Sequence, residues 1–77
     1  MTKQEAIKEL NGLGIDYATA GLTVTDKAIV FYATTRDGVC ELRCMAGLDP
    51  GEGVTHWQVL ESAATRFSSL TDLLEAL

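Results

Sequence analysis

This chain has little of what most binding and catalytic chemistries require. Of 77 residues only one is histidine (His56), two are cysteine (Cys40 and Cys44) and one is proline (Pro50). Zinc needs three or four ligands converging at about 2.0–2.3 Å. Cys40, Cys44 and His56 are the only soft ligands, so a metal centre would have to recruit Asp49 or Glu52. Basic residues are scarce too, six against eleven acids, for a net charge of −5. Direct nucleic-acid binding relies on a basic stripe that displaces counterions. That stripe is missing, which also disfavours anionic membranes. No apolar run approaches the roughly 20 residues that span a bilayer. The first residues, Met-Thr-Lys-Gln-Glu-Ala, lack the basic start and long apolar centre of a signal peptide. A cytoplasmic protein is expected, its thiols reduced: at four residues apart on one strand, about 13 Å, they lie too far apart to pair with each other.

What is present is an ordinary globular composition, 47% hydrophobic and 22% charged, sufficient for one small domain spanning residues 1–77. Domains of this size bury a modest share of their surface, so self-association as a homodimer stays open. The acids are unevenly spread. Through residue 40 five acids face four bases; from Glu41 onward six acids face only Arg43 and Arg66.

Residues 22–46 carry the clearest pattern. Asp37-Gly38 suits a two-residue hairpin in which both positions take positive φ. Reversal there sets Phe31 opposite Cys44, Ala33 opposite Leu42 and Thr35 opposite Cys40. A second reversal at Asp26-Lys27 sets Leu22 opposite Phe31 and Val24 opposite Ile29. Side chains alternate between the two faces of a strand, so a slip of one residue would invert a whole set. Both registers nonetheless select the same apolar face: Leu22, Val24, Ile29, Phe31, Ala33, Leu42 and Cys44. The expected unit is a three-stranded antiparallel meander.

Helices flank it. Thr2 and Glu5 have capping-box spacing, Ala6, Ile7 and Leu10 form an apolar stripe, and Asn11-Gly12 offers a left-handed stop. Ile15 and Tyr17 fit a short additional strand. Residues 47–53 read as a loop, with Pro50-Gly51 suited to the centre of a type II turn. From Val54 onward helix is favoured: Thr55 and Gln58 have capping spacing, and Trp57, Leu60, Ala63, Ala64, Phe67, Leu70, Leu74 and Leu77 recur at steps of three and four. Ser69 with Asp72 starts a separate last helix. The competing reading makes residues 56–61 a fourth strand, because Trp57 and Val59 alternate. The fold class is therefore α+β, a three- or four-stranded antiparallel meander with N- and C-terminal helices packed on one face.

No catalytic constellation emerges. His56 has no evident orienting acid, and Ser62, Ser68 and Ser69 occupy no nucleophile-elbow pattern. Gly51-Glu52-Gly53 lacks an accompanying base for phosphate, and the acids nearby lack EF-hand spacing. No cofactor is expected and the chain is read as a non-enzyme. The informative surface is the meander's outward face, where Val30 lies beside Met45, Tyr32 beside Arg43 and Thr34 beside Glu41. Tyr32 and Arg43 suit a cation–π pair, and apolar residues rimmed by charge are the composition of a protein-binding surface. The expected function is a non-catalytic protein-interaction module, a small accessory or inhibitory protein of bacterial or phage type. It would engage a protein partner through Val30, Tyr32, Glu41, Arg43 and Met45, together with Asp49 and Glu52 in the following loop. Two alternatives are an acidic DNA mimic that inhibits a nucleic-acid-binding protein, and a small cysteine- or metal-dependent enzyme.

Overall fold

A computed structural model describes residues 1–15, 23–62 and 65–77. The elements are α1 (Lys3–Gly12), β1 (Thr23–Val24), β2 (Ala28–Thr34), β3 (Glu41–Asp49), β4 (Gly53–Val59), a 3-10 turn (Leu60–Ser62) and α2 (Leu70–Ala76). The four strands form one antiparallel sheet in the order β1-β2-β3-β4, with the helices at either end of the chain. This is the expected α+β meander, including its fourth strand. Among the described residues no helix is long and apolar enough to cross a membrane.

Both expected registers hold. Val24 pairs with Ile29, and Phe31 and Ala33 pair with Cys44 and Leu42. Ile29, Phe31, Ala33 and Cys44 are buried, and Val24 and Leu42 pack against them. Leu22 and Tyr17 lie outside the described residues. Ala46, Trp57, Ala6, Leu10, Leu70 and Leu73 complete the core, so both helices cover this one face. At its centre the rings of Phe31 and Trp57 meet edge to face, 5.9 Å apart at 76°, the arrangement that aromatic quadrupoles prefer.

The turns reach these registers by other means than the dipeptides suggest. At the β2–β3 hairpin only Gly38 has positive φ (70°), and the Gly38 N–H donates to the Thr35 carbonyl at 2.8 Å. Asp37 keeps negative φ because its carboxylate, not its backbone, closes the loop: it accepts from Thr35 Oγ1 (2.6 Å) and the Val39 N–H (3.2 Å). The two-residue turn is thus a four-residue loop, residues 36–39. One residue is added to each side, so the register is unchanged. Between β1 and β2, Thr25 Oγ1 accepts from the Lys27 and Ala28 N–H groups.

Helix α1 begins as expected, with the Glu5 N–H donating to Thr2 Oγ1 at 3.2 Å. Its end is two residues later than Asn11-Gly12 implies. Gly14 takes the left-handed conformation (φ 81°), while Gly14 and Ile15 donate to the carbonyls of Asn11 (3.1 Å) and Leu10 (2.9 Å). That pair of bonds is a Schellman cap, and it turns Ile15 back onto the core.

The largest departure lies between Val54 and Ser68. The helix favoured there is replaced by β4, the 3-10 turn and a single bridge, in which Trp57 and Phe67 exchange both backbone hydrogen bonds at 2.7 and 2.8 Å. Ala63 and Ala64 lie outside the described residues. The helical spacing has a physical origin. Gly47 pairs with His56 but Leu48 pairs with Val54, so Thr55 is an extra residue, a β-bulge. The bulge resets the alternation and lets Val54 and Trp57, three residues apart, both reach the core. Helix proper starts where Ser69 caps it, its Oγ accepting from the Asp72 N–H at 3.1 Å.

The β3–β4 turn also differs from expectation. β3 runs on through Asp49, which shortens the loop to Pro50, Gly51 and Glu52. Gly51 has no positive φ, as a type II turn would need, whereas Gly53 does (82°). Asp49 Oδ1 accepts from the Gly51 (2.8 Å) and Glu52 (3.2 Å) N–H groups and holds the turn itself. Beside it the Val54 N–H donates to the Met1 carbonyl at 2.6 Å, stitching the start of the chain to the start of β4.

Candidate functional site

The candidate surface is the sheet face turned away from α1 and α2. Strand alternation dictates its membership: since Phe31 and Cys44 point inward, their neighbours Val30, Tyr32, Arg43 and Met45 point outward. Val30 pairs directly with Met45, Tyr32 with Arg43 and Thr34 with Glu41. Val30 and Met45 are half-buried and Tyr32 is 44% exposed, a large ring standing on the sheet.

Arg43 does not stack on Tyr32. Its guanidinium turns the other way, Nε lying 3.6 Å from Oε1 of Glu61 in the 3-10 turn, with about half of each side chain in solvent. The aromatic contact among the described residues is Phe31 with Trp57. The reason is geometric: continuation of the chain past β4 brings a carboxylate alongside β3, and an opposite charge outcompetes a ring face. An exposed pair of this kind adds little stability, about 0–1 kcal/mol.

The remaining candidates do not join this cluster. β3 separates Glu41 from Asp49 by eight residues, roughly 26 Å at about 3.3 Å per residue. Asp49 is occupied in its own turn, and Glu52 sits in that turn, exposed. The site splits accordingly into a face (Val30, Tyr32, Glu41, Arg43, Met45) and a remote acidic corner (Asp49, Glu52).

The fourth strand adds two residues that the favoured helical reading omitted. Gln58 pairs with Met45 and is 8% exposed, and His56 pairs with Gly47. The alternation of Trp57 and Val59 was the signal that would have placed both on the outer face. Gly47 is buried, and a Cβ there would meet the His56 ring, with Nδ1 at 2.8 Å and Nε2 at 3.0 Å. The imidazole therefore lies flat on the glycine backbone. Thr55 Oγ1 donates to the Gly47 carbonyl at 3.3 Å and lies 2.9 Å from His56 Nδ1, so the bulge holds the ring in place.

The two thiols have opposite surroundings. Cys40 is exposed beside the β2–β3 loop and Cys44 is buried. Burial, and secondarily the charge of Glu61, push the Cys44 thiol up to about 11, the opposite of what activates a thiolate. Among the described residues no three His, Cys, Asp or Glu side chains group as metal ligands.

No protein-family model, curated protein or solved structure matches this chain.

Proposed function

We propose that this chain is a non-catalytic protein-interaction module that binds a protein partner through the outer face of its sheet. The observation that carries this reading is the adjacency of the Val30–Met45 and Tyr32–Arg43 pairs on the face opposite both helices. Tyrosine, arginine and methionine are residue types enriched at interfaces, and Val30 adds apolar area beside them. His56 extends the patch across β4, with Gln58 largely buried beside Met45.

Magnitudes bound the kind of binding. The strands hold 25 residues in all, so at about 3.3 Å per residue and about 4.8 Å between strands the face presents roughly 400 Å² in projection, against about 800 Å² of accessible surface per partner in a standard interface. A face of this size fits the smaller, transient class of interface. The accessible surface, 4789 Å², is close to the roughly 4,600 Å² that scaling gives for a compact monomer of this mass. A compact chain of this kind fits association between already folded molecules, whether the partner is another protein or a second copy. The acidic DNA-mimic reading stays the alternative: Asp37 and Asp49 close turns yet keep their charge at the surface, while Glu61 pairs with Arg43.

Affinity capture from the native host with the wild-type chain and with Tyr32→Ala/Arg43→Ala tests the proposal. The wild type should retain a specific protein that the double variant, folded by circular dichroism, releases. Equal recovery by both chains would overturn the sheet-face assignment, and retention that collapses with modest salt would point to the mimic instead.

A further inference from the structure

We draw no further inference here: the strongest candidate, the cleft of about 510 Å³ between the two helices lined by Leu13, Arg36 and Leu74, is an unpartnered apolar surface, and nothing in the structure shows what covers it.

Discussion

Replacing Gly53 by alanine should be among the most damaging single-methyl additions available to this fold. Gly53 has φ 82°, and a Cβ there would collide with the Met1 carbonyl oxygen and come within 2.9 Å of the Met1 carbonyl carbon and of Thr2 Cα. These are backbone atoms, so no rotamer change relieves the contact. The left-handed conformation costs about 1 kcal/mol for a residue with a Cβ, and displacing Met1 forfeits its hydrogen bond from Val54, worth about 1 kcal/mol more. Together these predict a loss of about 2–3 kcal/mol, from a total of roughly 4–12 kcal/mol for a chain of this length. Two other glycines separate the contributions. Gly14→Ala adds a methyl at φ 81° with nothing within 4 Å and should cost about 1 kcal/mol, whereas Gly12→Ala, in open space within α1, should gain up to about 0.5–1 kcal/mol. Urea denaturation followed by the emission of Trp57, the single tryptophan and 1% exposed, reports all three. With a slope of about 1 kcal/mol/M, the Gly53→Ala midpoint should fall by about 2–3 M. A Gly53→Ala midpoint no lower than that of Gly14→Ala would refute the packing of Met1 on β4.

Four further outcomes are expected. Ser69→Ala removes the cap of a seven-residue helix that supplies two core leucines, and should cost about 1 kcal/mol in the same urea assay, an unchanged midpoint arguing against the cap. Native protein at pH 8 should yield one fast thiol equivalent, from Cys40, to an aromatic disulfide reagent, and two fast equivalents would contradict the burial of Cys44. Because the folded state keeps the Cys44 proton up to about pH 11 while the unfolded chain loses it near 9, stability should fall across that interval by up to about 1.4 kcal/mol per pH unit, and Cys44→Ala should flatten the slope. The Asp37 carboxyl is held below its ordinary range first by the Thr35 hydroxyl and then by the Val39 N–H, so its contribution to the hairpin is present above the ordinary value and lost as pH falls through the lowered one. Thr35→Val should move that titration back toward the ordinary range by NMR, and an unmoved titration would dismiss the hydroxyl as its cause.

The first three strands were legible because two separated turns had to agree on one apolar face, and Val24, Ile29, Phe31, Ala33, Leu42 and Cys44 lie on it. The turns themselves were less legible. Asp37 and Asp49 both act through their carboxylates, whereas the dipeptide rules consider only which backbone angles a residue tolerates. The fourth strand was obscured by its bulge. An extra Thr55 converts a period of two into a step of three between Val54 and Trp57, and those residues then merge with the true helical spacing of Leu70 and Leu73. For the candidate face, alternation along β2 and β3 sufficed to pair Tyr32 with Arg43. The guanidinium's turn toward Glu61 was not readable, since it depends on where the chain goes after β4.

The reciprocal bonds between Trp57 and Phe67 reach beyond local geometry. A sheet's last strand is an open margin that any extended foreign segment can zip onto. Here the chain seals that margin at its midpoint with its own later residues, so an intruder would first have to evict Phe67. The N–H and C=O of Trp57 are thereby closed to any other strand.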